Sequence, residues 1–377
     1  MDLLIITLLV FFIILVFIKK ISSGHPKEAI RQPPGPWNLP VIGSLHQLLR
    51  PQPAHQILSR LSAIHGPIMG LKLGEIRAVV VSSSSAAKEI MKTHDISFAS
   101  RPIYSSIKVI TYGGKGIAFA PYGEFWRQMR RLCLLELLSA KRVQSFRIQV
   151  ENDLQFPLTN DHIKAIIGDL LVAGSSPTST TLVWAMSELI RNPDVKCKAQ
   201  SEVRETFGRG MPNTMAEEEL MSGDKLSYLK LVIKETLRLH PPAPLLLPRE
   251  NPERCEVMGY EIPAKTMVMV NAWAMGRDSD NWDEPDAFRP ERFDGSDDAE
   301  FKGKQTKFIP FGAGRRICPG MSFALAVVEM TLAHLLYYFD WEYFGGELDM
   351  TETPGISADR KFPLCLLPIQ HIPLPIS

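Results

Sequence analysis

A single cysteine, set in a loop of backbone freedom and positive charge, limits what this chain can be built around. The stretch PFGAGRRICPG, Pro310 to Gly320, surrounds Cys318 with three glycines, two prolines and the adjacent arginines Arg315 and Arg316. A thiolate stays ionised only beside positive potential or hydrogen-bond donors, and a helix N-terminus supplies both. The apolar pattern MSFALAVVEMTLAHLLYYF predicts a helix from Met321 whose N-terminal end lies just past the sulfur. Gly312, Gly314 and Gly320 let the backbone approach closely and turn its N–H groups toward that sulfur. The arrangement suits a thiolate metal ligand.

The rest of the chain narrows the choice of metal. Cys133, Cys197, Cys255, Cys318 and Cys365 are widely spaced, odd in number and without a CxxC, so a disulfide framework, a zinc site and an iron–sulfur cluster all lack ligands. A haem iron, whose other ligands come from the porphyrin, needs one. The 377 residues, 45% of them hydrophobic, suffice for a large core. Lys and Arg total 42 against 41 Asp and Glu, which gives no reason to expect a nucleic-acid partner.

The first residues differ from the remainder. Leu3 to Ile18 carries no charge and is followed at once by Lys19 and Lys20. A cleaved signal peptide would place its positive charges before the apolar run; here Asp2 precedes and lysines follow, which predicts a signal anchor over residues 1–20 with the body facing the cytoplasm. Residues 21–44, rich in proline from Pro33 to Pro40, predict a stiff extended hinge. Beyond it, helical patterns run from Ser85 to His94, from Tyr122, from Asp161, from Ser227 to His240 and from Met321. Strand-like runs lie at Arg77–Ser83 and in KTMVMVNAWA. The fold class expected is mainly α with a minor β-sheet.

Phe311, Gly314, Arg316, Cys318 and Gly320 match F-x-x-G-x-R-x-C-x-G, and on these residues the chain resembles the haem-thiolate monooxygenases of the cytochrome P-450 family. The resemblance implies heme b as cofactor, Cys318 as its axial ligand, and Phe311, Gly314, Arg316 and Gly320 around it. KETLRLHPP and FRPERF are similar to the family's E-x-x-R and P-E-R-F elements, in which Glu235, Arg238 and Arg292 would lock the core behind the haem. FWRQMRR is similar to its W-x-x-x-R helix, which implies that Trp126 and Arg130 contact a haem propionate; Arg249 is a further candidate. Pocket-lining candidates are the loop from Arg101 to Ala120, Ala173, Ala243, Leu246, and Gly355 with Ile356.

Two departures qualify the resemblance. The family's distal helix carries [AG]-G-x-[DE]-T-[TS], whereas here Ser176 and Pro177 occupy the acid and alcohol positions, with Thr178 next. Ser176 or Thr178 would have to substitute in proton delivery, and neither restores a carboxylate. Second, Arg130 and Gly174 are too close in sequence for the helices that family members place between them. The implied architecture is therefore a cytochrome P-450 fold over residues 45–377, truncated internally near 147–160. The expected function is oxidation of a small hydrophobic metabolite with O2, using electrons from a separate NADPH-dependent cytochrome reductase at the endoplasmic reticulum membrane. The alternative is an inactive truncated relative with impaired haem binding, acting if at all as a membrane-tethered binding protein.

Overall fold

The stretch Ala78–Val81, ending in three consecutive valines, has the composition of a strand buried on both faces, and the strand that carries it lies in the interior of the main sheet. The computed structural model describes residues 31–138, 158–208, 225–295, 301 and 306–373. The predicted anchor and the stretch 147–157 lie outside the described residues. Strand β1 (Ile68–Leu73) pairs antiparallel with β2 (Ile76–Val81). Then β3 (Arg249–Glu250), the hairpin β4 (Cys255–Val257) and β5 (Tyr260–Ile262), and β6 (Met267–Val270) follow. The sheet order is β1-β2-β6-β3, with β6 parallel to β2 and Val80 opposite Met269. A separate pair, β7 (Phe339–Glu342) and β8 (Leu367–Gln370), closes the C-terminal region.

Helices carry the larger part of the structure, as the sequence predicted. They are α1 (Ala54–His65), α2 (Glu124–Leu132), α3 (Asn160–Arg191), α4 (Pro193–Phe207), α5 (Ser227–Leu239) and α6 (Met321–Tyr338). The predicted helix at Ser85–His94 forms as an α-turn, Ser84–Lys88, continued by a π-helical turn, Glu89–Thr93. The C-terminal half of α3 packs with α4, α5 and α6 through Ala185, Leu189, Ala199, Val203, Val232, Leu332 and Leu336. Helix α6 is the one described helix apolar and long enough to cross a membrane, yet its Leu332, Ala333 and Leu336 are fully buried in this core.

The proline-rich segment is not a free spacer where it is described. Gly70 N donates to Pro34 O at 2.8 Å, Ser44 N to Lys72 O at 2.6 Å and Gly74 N to Ile42 O at 3.1 Å. The segment runs along the edge of β1 and covers it, which removes an unpaired strand edge.

Glu235 and Arg238 lie on the buried face of α5, both with fully buried side chains. The guanidinium grips the carboxylate bidentately, Nε to Oε2 and Nη2 to Oε1, each at 2.7 Å. Arg292 Nε adds a contact to Oε1 at 2.9 Å, and the Arg289 backbone N–H another at 2.8 Å. Arg238 also reaches the carbonyls of Gly276, Pro285 and Ala287, so one side chain fixes the irregular segment ahead of the Cys318 loop.

Removing one partner from a buried pair leaves an uncompensated charge, so Arg238→Ala is expected to cost about 3–5 kcal/mol in urea unfolding. A second expectation concerns α6. Burial pushes the Glu329 carboxyl up to about 7, and Lys230, 3.6 Å away, offsets only part of this. A raised carboxyl favours the folded state below its unfolded value near 4.5, and that advantage is lost as pH rises through about 7. Glu329→Gln should therefore raise the melting temperature at pH 8 and leave it nearly unchanged at pH 4.5.

Candidate functional site

Cys318 sits between a short 3-10 turn, Gly314–Arg316, and the N-terminus of α6. Its backbone N–H donates to Phe311 O at 2.9 Å, which closes the loop on itself. Gly312 and Gly314 have φ of +73° and +68°, a region that side-chain-bearing residues rarely adopt. A Cβ on Gly314 would overlap the carbonyl oxygen of Met91 and the carboxylate of Asp95. The loop is thus pressed against the Glu89–Thr93 turn. Burial pushes the Cys318 thiol up, while a hydrogen bond from the Gly320 N–H and the Arg130 charge pull it down. Metal ligation would have to displace its proton.

Positive charge converges beside this loop. Arg316 is buried, donating Nε to Ala99 O at 2.6 Å and Nη2 to Ala120 O at 2.5 Å, with its guanidinium 4.2 Å from the Trp126 ring centroid. Trp126 donates its indole N–H to Ile117 O at 3.0 Å and carries Arg130 over its ring at 5.4 Å. Arg130 Nη2 donates to Ile317 O, 2.6 Å away and next to Cys318. Arg249, 2% exposed, donates to Ala313 O at 2.6 Å and contacts Asp95 Oδ1 at 3.2 Å. Arg101 donates Nη1 to the carbonyls of Leu247 and Pro248, the latter at 2.8 Å.

These cations repel one another. Burial first, then the charges of Arg249 and Arg130, push Arg316 down to about 9. Burial, with Arg249 and Arg316, pushes Arg101 well below the usual arginine range. Arg249 and Arg130 are lowered by burial as well. Arg101 Nε is buried with no hydrogen-bond partner. A buried, mutually repelling cluster with an orphaned donor needs an anion. A macrocycle bearing two carboxylates supplies that charge, and the lone sulfur of Cys318 supplies one axial donor, so the residues present fit a haem.

Trp126, Arg130, Arg249, Phe311, Gly314, Arg316, Cys318 and Gly320 are thus brought into one region. Arg101 is not marked as an anion contact by any motif in the sequence, nor is Asp95, which accepts from Arg249 and from the Arg315 backbone N–H at 3.0 Å. The signal available was an arginine inside the apolar, proline-bounded stretch FASRPI. The loop Gly116–Ala118 is tied to α3 by Asp169, whose Oδ2 accepts from Ala118 N at 3.0 Å.

The pocket candidates divide. Leu246, with φ of +51°, packs against the sheet-side core that holds Ala313, and Ala243 is half-buried nearby. Ala173, Gly174 and Ser176 are exposed, and Ile356 is 91% exposed. The N-terminal half of α3 also leaves Ile163, Ile167, Leu171 and Val172 exposed, whereas its C-terminal half is buried. Thr178 Oγ1 donates to Gly174 O at 2.9 Å, across the turn in which Pro177 leaves the Ala173 carbonyl without its helical donor.

Comparison with known proteins agrees with this geometry. The cytochrome P-450 family profile matches residues 33–155 and 143–364. The chain belongs to the cytochrome P-450 family. It is 41% identical to desmethyl-deoxy-podophyllotoxin synthase of Sinopodophyllum hexandrum over 488 aligned residues, covering 94% of this chain and 95% of that protein. It is 39% identical to salviol synthase of Salvia pomifera, covering 96% of the chain and 97% of the relative. It is 37% identical to premnaspirodiene oxygenase of Hyoscyamus muticus, covering 96% and 97%. A zebrafish cytochrome P-450 solved with progesterone superposes with a TM-score of 0.69 at 22% identity, over 84% of this chain and 98% of that one. The 488 aligned positions exceed the 377 residues of this P-450, so more than a hundred positions of the relative have no counterpart here. The shared fold therefore comes with an internal truncation.

Because Gly314 meets backbone on one side and requires a left-handed φ, Gly314→Ala should destabilise the protein by more than about 1 kcal/mol in denaturant unfolding. A neutral result would show that the loop is not pressed onto Met91 and Asp95.

Proposed function

We propose that this cytochrome P-450 is a haem-dependent monooxygenase that oxidises a small hydrophobic specialised metabolite, taking O2 as co-substrate and electrons from a membrane-bound NADPH-dependent cytochrome reductase. The observation that carries this reading is the convergence of Arg101, Arg130, Arg249 and Arg316 around the Cys318 loop, beside Trp126. Further support comes from relatives whose names, such as premnaspirodiene oxygenase of Hyoscyamus muticus, denote an oxygenase. We place the protein at the endoplasmic reticulum membrane, held by residues 1–20 with the catalytic body, residues 45–377, facing the cytoplasm.

Heme b would be held through the Cys318 sulfur, and when bound it supplies the oxygen-activating redox chemistry. The chain supplies orientation and charge. Arg101 offers its free Nε to a propionate, and Arg316, its donors already on backbone carbonyls, contributes charge. Glu235, Arg238 and Arg292 would hold the irregular segment that leads into the Cys318 loop. On the distal side the Thr178 hydroxyl, its hydrogen given to Gly174 O, keeps lone pairs that can accept from water. Ser176 supplies a second hydroxyl one turn from the freed Ala173 carbonyl. Ala173, Ala243, Leu246 and Ile356 would line the substrate side.

The exposed apolar face of α3 favours a second reading, an inactive truncated relative that binds haem poorly. The carbon monoxide difference spectrum of the reduced, membrane-expressed chain with added haem separates the two. A thiolate-type Soret band, abolished by Cys318→Ala, is the expected result. No such band in the parent chain, beside an intact family member expressed in parallel, would favour the second reading.

A further inference from the structure

The hairpin Thr351–Lys361 carries the exposed tip Pro354–Ser357 and is held at both legs by buried polar groups unused in the site above. Its own ladder is short: Thr353 N donates to Asp359 O at 2.8 Å and Lys361 N to Thr351 O at 2.9 Å. One leg is tied to α3. Trp184 Nε1 donates to Ala358 O at 2.6 Å, Thr180 Oγ1 to Asp359, and Arg360 Nη1 to Ser187 Oγ at 3.1 Å. Ala358 N donates to Pro242 O at 3.2 Å, beside the pocket candidate Ala243. The tip therefore stands between the distal helix, two residues past Thr178, and the start of the Pro242–Leu246 segment.

The other leg is held by one carboxylate. Glu352, 8% exposed, accepts at Oε2 from His55 Nε2 at 2.6 Å and from Gln56 Nε2 at 2.9 Å, both on α1. Its Oε1 accepts from Trp273 Nε1 at 3.2 Å, on the short helix Ala272–Met275. Burial alone would raise this carboxyl; contacts from His240 and His55, and the Arg277 charge, more than offset it and hold it well below the usual range. His240 stands 3.9 Å from Oε1, gives Nε2 to Glu188 Oε1 of α3 at 2.7 Å, and stacks on Trp184 at 3.9 Å between centroids. Nδ1 of each histidine makes no hydrogen bond, so His55 holds Glu352 and His240 holds Glu188 through Nε2. The arrangement spans elements that otherwise belong to different packing clusters.

We propose that Glu352 is the positioning residue of the substrate-facing tip Pro354–Ser357: its buried carboxylate joins the hairpin to His55, Gln56 and Trp273 and so fixes the tip against the leg held by the distal helix. This rests on the reading that the tip lines the substrate side. Glu352 acts on the tip through His55, Gln56 and Trp273. A glutamine at this place cannot reproduce its function, because the amide nitrogen turns a donor toward donors that Glu352 accepts from.

The test compares the full chain with Glu352→Gln, His55→Gln and His55→Leu. Hydrogen exchange by mass spectrometry needs no haem. In Glu352→Gln and His55→Leu, peptides covering 351–361 should exchange at least tenfold faster, with α5 peptides unchanged. His55→Gln, which keeps a donor toward Glu352, should stay near the parent. In the haem-loaded chain, 4-phenylimidazole and imidazole are titrated by their Soret shifts. The first carries a phenyl ring that imidazole lacks and should bind Glu352→Gln about tenfold more weakly, while imidazole affinity stays constant. Unchanged hairpin exchange, equal acceleration across all peptides, or equal loss of both ligands would overturn the proposal. If the parent chain shows no haem spectrum, the haem reading fails, and the exchange result alone decides whether Glu352 fixes the hairpin.

Discussion

The buried grip of Arg238 on Glu235 is the constraint on which the haem-side architecture depends. A fully desolvated ion pair is costly unless its remaining donors are satisfied, and here the guanidinium spends them on the carbonyls of Gly276, Pro285 and Ala287. Those carbonyls belong to chain without regular secondary structure, which has no ladder of its own to hold it. Arg292 and the Arg289 backbone close the remaining side of the carboxylate. The helical core and the irregular segment before Cys318 are thus joined by charge-assisted hydrogen bonds and not by apolar packing alone.

A second group of arginines presents the opposite situation. Arg101, Arg249 and Arg316 are buried together, and their carboxylate neighbour Asp95 is shared with the Arg315 backbone. Glu235 holds Arg238 and Arg292, whose other donors rest on backbone carbonyls; Asp95 is the carboxylate facing the second group, in which Arg101 Nε has no partner. The first cluster is complete within the chain, and the second is complete only with an anion from outside. That contrast distinguishes a structural ion pair from a binding site more surely than the presence of arginine does.

Much of the fold was legible in sequence, and the reasons differ by element. Helices α2, α3, α5 and α6 were visible because their apolar patterns are long, and β2 because Val79, Val80 and Val81 follow one another. Helix α4 lay between the patterns that begin at Asp161 and Ser227, and its register is set by packing against α5 and α6. The proline-rich segment was read as a spacer, since composition records its stiffness and not the strand edge it covers. At the site, Cys318, Trp126, Arg130 and Arg316 were legible because they fall in fixed spacings. Arg101 and Asp95 were not, because what marks them is proximity to Arg249 and Gly314 across long stretches of chain. The exposure of Ala173 and Ile356 was equally hidden, since it follows from what packs beside them.

The contact between Asp95 and the Arg315 backbone joins residues 220 positions apart. Loops of that length close slowly, and the Gly314 turn has no room to form its shape before Met91 and Asp95 are in place. The thiol's cradle is therefore completed late in folding, when the Cys318 loop docks on the Glu89–Thr93 turn and Asp95. During synthesis the emerging chain offers a cofactor no preformed sulfur site, and capture has to follow release of the C-terminal segment.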